Sequence, residues 1–128
     1  MTTTLIPVDT TPNANGRLYS REVLEEAVKK MPAELYGTIG YPDDPSKPIA
    51  PEEAAFKVSG CSVTATGLTG EVLVLDSAAG KKLAAMMQEG SIVFRPSGVG
   101  EVDDKGAVYN YELVAFNAIW EADDAFGA

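Results

Sequence analysis

Between Tyr41 and Pro51 the chain carries four prolines, Pro42, Pro45, Pro48 and Pro51, among aspartates, a serine and a lysine. A proline has no N–H and a fixed φ, so neither a helix nor a central strand can run through this stretch. It reads as an extended surface loop, and regular structure must stop before it and restart after it.

Ahead of the loop, "TTLIPV" alternates polar and apolar residues as an opening strand does, and "DTTPNANGR" is dense in turn formers. In "YSREVLEEAVKKMP", Val23, Leu24, Ala27, Val28 and Met31 share one helical face, Ser20 can cap the start and Pro32 stops the end. Behind the loop, "AAFKVSGCSVTATGLTGEVLVLD" reads as two strands turning near Thr66 and Gly67. Asp76 or Ser77 then caps a second helix, "SAAGKKLAAMMQEG", with Leu83, Met86 and Met87 inward and Gly90 as C-cap. "SIVFRP", "GVGEVDD" and "AVYNYELVAFNAIWEA" supply further strands, with "DDKG" as a hairpin turn. The order predicts an α+β domain, a small partly closed β-barrel with two helices packed outside. With 128 residues and no internal repeat or dividing linker, residues 13–128 are expected to form one domain behind an extended N-terminal arm of residues 1–12.

Charge narrows the partners. Nineteen acidic against ten basic side chains give −9 at pH 7, a surface that repels phosphate backbones and anionic lipid, so neither nucleic acid nor membrane is expected. No apolar run reaches the roughly 18 residues of a spanning helix, and "MTTTLIPVDTTP" has neither the basic start nor the apolar centre of a signal peptide, so the chain is expected to be cytoplasmic where it is made. One cysteine, Cys61, rules out an internal disulfide. The absence of histidine removes the usual general base, leaving serine with lysine, paired carboxylates or an oxygen-ligated metal.

Each of those has a bland reading that fits better. "TPNANGRLYSRE", Thr11 to Glu22, overlaps a calcium loop at Asn13, Asn15, Gly16 and Glu22, but starts on Thr11 and follows a strand, so it reads as a turn into a helix. Asp43/Asp44, Asp103/Asp104 and Asp123/Asp124 lie in turn contexts, where adjacent carboxylates point apart, and read as solvated surface. Ser46/Lys47 sits on the proline loop, and Lys57, Lys81 and Lys82 read as surface positions. Cys61, in an apolar strand, reads as an inert core residue. Phe94, Phe116 and Trp120 read as core, whereas Phe126, in the acidic tail, must dock on something or stay exposed. No cofactor and no metal are expected.

Four segments in series resemble the tailed-phage prohead proteases, and together they span most of the chain. "NANGRLYSREVLEEAV" is similar to their opening N-x-N-G-R-x-Y turn and first helix; Gly37, Gly40, Tyr41 and Pro42 are similar to their G-x-x-G-H-P stretch; Arg95 to Gly100, "RPSGVG", stands where they have a serine-rich turn; and "LVAFNAIWEADDAFGA" resembles their late strand. The resemblance implies the herpesvirus and prohead protease fold, with chemistry by serine and histidine. The chain departs from it where it matters: the histidine place holds Tyr41, whose phenol titrates near 10, and the nucleophile place holds Arg95 or Pro96 with Ser97 beside it.

The expectation is therefore a protease fold with degenerate positions Tyr41, Arg95, Pro96 and Ser97 and no enzyme activity. By analogy the chain is expected to be a decoration or cement protein, a homotrimer on the outer surface of a phage head whose partner is the major capsid protein. Leu5, Ile6 and Val8 of the arm and Asp43, Asp44, Pro45, Lys47 and Pro48 of the loop are its expected contact residues. The alternatives are a processing or regulatory protease and a scaffold-associated binding domain.

Overall fold

The computed structural model describes residues 1–7, 16–42, 44 and 46–124. Along them run β1 (Thr2–Pro7), α1 (Arg21–Lys30), β2 (Glu34–Ile39), β3 (Phe56–Thr64), β4 (Gly67–Val74), α2 (Ala78–Glu89), β5 (Ile92–Val102) and β6 (Val108–Trp120), with 3-10 turns at Pro51–Glu53 and Glu121–Asp123. Among these residues no helix is long and apolar enough to cross a membrane.

The strands form one sheet in the order β1-β4-β3-β2-β6-β5, antiparallel throughout except where β2 meets β6. The sheet curls until its two end strands touch, and Arg95 of β5 donates to the carbonyls of Thr4 and Leu5 on β1. This is the α+β, partly closed barrel that the sequence predicts. α1 packs on β6 and β3, and α2 on β4 and β2. The core is continuous, with Phe56 and Phe94 meeting edge to face at 5.0 Å and Phe116 fully buried. Each of these rings contributes about 3 kcal/mol by leaving water. Gly37 makes room for one of them: a Cβ there would fall 2.1 Å from the Phe56 ring.

Both helices start as their sequences predict. Ser20 Oγ accepts from Val23 N (3.3 Å), and Ser77, not Asp76, caps α2 through Gly80 N (2.9 Å) while its own hydroxyl donates to Ala54 O (2.8 Å). Three expectations need correction. The N-terminal segment is no free arm over Thr2–Pro7, because it pairs with β4, and Leu5 and Ile6 are wholly buried and cannot reach a neighbour's sheet. Burying them in the chain's own sheet removes more apolar surface from water than leaving them extended. Val8 lies outside the described residues. "SIVFRP" and "GVGEVDD" are parts of the single strand β5, and "ELYGTI" is a strand that the sequence reading did not single out.

In the proline loop, Asp44 Oδ1 accepts from Ser46 N (3.0 Å) and Ser46 Oγ (2.6 Å), which closes a local turn. Asp44, Lys47 and Pro48 are exposed there, while Asp43 and Pro45 lie outside the described residues.

Candidate functional site

Three elements bring the site together. β2 ends at Ile39, and Gly40, at φ 83°, turns the chain while its N–H donates to Ala118 O on β6 (2.9 Å); this ties Tyr41 and Pro42 to the sheet. β5 brings Pro96, Ser97 and Gly98, and β6 brings Tyr111 and Asn117. With Tyr19 these residues line a depression of about 250 Å³. The ladder slips here: Ser97 pairs with Ala115 but Gly98 with Leu113, so β6 bulges by one residue and re-aims its side chains beside the depression.

Asn117 is fully buried, in a strand position opposite Arg95. Its Nδ2 donates to Arg95 O (3.3 Å) and to Ser97 Oγ (3.2 Å), and its Oδ1 has no hydrogen-bond partner. Ser97 is 5% exposed and accepts this one bond. Tyr111 packs over Gly98 and meets Tyr19 edge to face at 5.4 Å. Tyr19 is placed by Leu18, which donates to Gly106 O (2.7 Å) and accepts from Val108 N (2.9 Å). Burial raises the Tyr19 pKa, offset in part by Arg17 and by the hydrogen bond with Tyr111. Burial first, and the Tyr19 phenol second, holds Tyr111 well above the ordinary phenol value. Both are protonated, neutral hydroxyls at physiological pH.

Among the described residues no charged side chain lines this depression. Tyr41, 46% exposed, stands on its rim and also lines a second, more apolar cleft of about 310 Å³ with Ile39, Met86, Ile119, Trp120 and the carboxylate residue Asp123. A third hollow continues from Tyr19, Gly98 and Tyr111 to Arg17. The three hollows are neighbours, sharing Tyr41 on one side and Tyr19, Gly98 and Tyr111 on the other.

The structure thus joins Tyr41, Pro96 and Ser97, but not Arg95. The Arg95 guanidinium forms a two-pronged ion pair with Asp124, at 2.9 Å from both Nε and Nη2, besides its bonds to β1. Asp124 was expected as solvated surface; its side chain is 7% exposed, and the Arg95 guanidinium accompanies it into the interior. Asn117, which the sequence reading passed over, is central. Its signal was a lone amide inside the apolar run "LVAFNAIW".

The other candidates lie apart. Ser46 is engaged by Asp44, and Lys57 pairs with Glu34 at 2.6 Å. Cys61 is half-buried, and burial pushes its thiol up to about 11. Thr11, Asn13 and Asn15 of the calcium-like loop lie outside the described residues, as does Phe126. Among the described residues no cluster of three or more cysteines and carboxylates is placed to hold a metal.

A curled half-barrel of this strand order, with two helices on it and a groove where the β2 turn meets β5 and β6, has the fold of a phage capsid assembly protease. Among solved structures it is similar to the bacteriophage T4 capsid assembly protease gp21, with a TM-score of 0.79 and 24% identity over 94% of this chain and 80% of that one. No protein-family model and no curated protein matches the sequence. The expectation that the chain is not an enzyme does not stand: the protein whose fold it shares is itself a protease, and Ser97 lies in the groove beside Tyr41.

Proposed function

We propose that this chain is a tailed-phage head protein that docks on the outside of the capsid shell, taking an extended segment of the major capsid protein into the groove beneath Tyr41. The observation that supports this reading is the depression itself: a tyrosine- and proline-walled hollow with no charged side chain among the described residues that line it, on the fold of a capsid assembly protease, with a hydrogen-bonding floor made by Ser97 and Asn117. The net charge of −9 favours a position away from packaged DNA, and the exposed Asp44, Lys47 and Pro48 of the stiff proline loop add contacts beside the groove. Icosahedral shells present threefold positions, so the decorating unit is a trimer whose many modest contacts act together. Sedimentation of the purified protein with and without mature heads tests the reading: it should pellet with heads and raise their resistance to heat and osmotic shock. Failure to pellet, or heads no sturdier for its presence, ends it.

A second reading, processing of capsid precursors, is favoured by one contact, the Asn117 Nδ2 bond that fixes Ser97 Oγ inside the groove. Incubation with a fluorophosphonate and with capsid precursor selects between them. Covalent labelling at Ser97 with cleavage of the precursor establishes the processing reading.

A further inference from the structure

The floor of the groove holds an acceptor and a donor with nothing to bind. Asn117 Oδ1 is buried without a partner, whereas most buried polar atoms in folded proteins are satisfied. Ser97 Oγ accepts from Asn117 Nδ2, and its own O–H has no acceptor among the described residues. The two groups are adjacent, since the same amide side chain carries Oδ1 and binds the serine.

An unpaired acceptor beside an unpaired donor complements a group that offers the reverse pair. Two alternatives are disfavoured on charge, because among the described residues no carboxylate lines the depression to neutralise an ammonium and no cation lines it to neutralise a carboxylate. What remains is a neutral amide. The depression shares Tyr41 with one neighbouring cleft and Tyr19, Gly98 and Tyr111 with another, so an occupant that uses all three hollows is extended. An extended main chain does this, and it presents the N–H and C=O of alternate residues on one side.

We infer that Ser97 and Asn117 read the main chain of one residue of a bound extended peptide, Asn117 Oδ1 accepting from its N–H and the Ser97 hydroxyl donating to its C=O. The inference rests on the proposed groove but not on which chain fills it. The site selects for a residue with a free N–H and rejects proline or an N-alkylated residue at that place. Ser97 and Asn117 are then specificity-determining residues for whatever the groove holds.

The test uses ¹⁵N-labelled protein and two small probes, N-acetylglycine N′-methylamide and its N-acetylsarcosine counterpart, whose central nitrogen carries a methyl group in place of the hydrogen. The glycine probe should shift the Asn117 side-chain and the Ser97 and Gly98 backbone resonances to saturation. The sarcosine probe should bind about tenfold more weakly, the loss of one hydrogen bond at a buried acceptor. Ser97→Ala, which keeps the strand intact, should weaken the glycine probe severalfold, so the inference does not depend on an Asn117 variant folding. Equal affinity for the two probes overturns it, as does the absence of saturable shifts, or a bound water on Asn117 Oδ1 that the glycine probe does not displace. Head sedimentation separates the two proposals. If the glycine probe binds but the protein does not pellet with heads, the docking reading fails and the reader stands; if heads are bound while the probes are not told apart, the reader fails alone.

Discussion

At the scale of single residues, Gly98 carries no side chain because the bulged hairpin leaves no room for one. A Cβ there would meet Glu112 O at 2.4 Å and the Tyr111 ring at 2.9 Å. Gly98→Ala should therefore cost about 1–3 kcal/mol of stability by forcing the hairpin apart, measured as a lower urea midpoint at unchanged slope. A neutral outcome would mean that the two strands part freely at the site. Cys61 offers a check of a different kind. Burial holds its thiol near 11, so the thiolate is scarce in the folded protein at pH 8 and reaction with Ellman's reagent should be slow there and faster in urea. The sign follows for stability too: a raised acid pKa means that the folded state keeps the proton, so this contribution is present below the unfolded thiol pKa of about 8.5 and is lost as pH rises through 11. Native and unfolded rates that coincide would contradict the burial. Cys61 was legible as inert from its apolar strand alone. Asn117 was not, because the sequence shows a polar residue in an apolar run without showing which neighbour across the sheet, Arg95 or Ser97, it is there to hold.

At the scale of elements, what was legible was what is local. A helix declares itself within one turn by its cap: Ser20 caps α1 as read, and of the two residues that could cap α2, Asp76 and Ser77, it is Ser77 that does. They are not equivalent. Ser20 Oγ makes one long bond to the helix, whereas Ser77 Oγ caps α2 and also ties it to Ala54 O, at the start of β3. Ser20→Ala should cost roughly 0.5–1 kcal/mol and Ser77→Ala about 2, and the comparison of their urea midpoints checks the order. Equal losses would show that the Ala54 bond adds nothing. β2 was missed for the opposite reason: a six-residue stretch with a glycine in it declares little, and its parallel pairing of Gly37 with Phe116 lies far along the chain. β1 was seen as extended yet taken for a free arm, because its partner β4 lies more than sixty residues away, where no local pattern points.

At the scale of the whole molecule, the half-barrel has a seam, and one side chain spans it. β1 and β5 are the two ends of the sheet, so their facing edges lack main-chain partners, which is the exposure that makes edge strands hazardous. Arg95 supplies what a ladder would have: its Nη1 donates to Thr4 O (3.0 Å) and Leu5 O (3.3 Å), where β1 slips register, and its remaining donors hold Asp124 just after β6. The sequence showed this arginine only as a residue standing where a nucleophile was looked for, since its partners lie 91 and 29 positions away. The pair is nearly dry, at 10% and 7% side-chain exposure, so breaking it leaves an uncompensated charge inside. Asp124→Asn should cost about 3–5 kcal/mol by stranding the guanidinium. Arg95→Met takes the guanidinium from the carboxylate and also frees the β1 carbonyls, and should cost at least as much. The double variant should lose less than the sum of the two, because no buried charge remains, and the shortfall in a double-mutant cycle of urea midpoints measures the coupling. Hydrogen exchange of the β1 amides should quicken in Arg95→Met more than in Asp124→Asn, since only the first removes the donor to Thr4 and Leu5. Additive losses, or β1 amides equally protected in both variants, would show that the seam is closed by packing of Leu5 and Ile6 and that Arg95 merely rides on it.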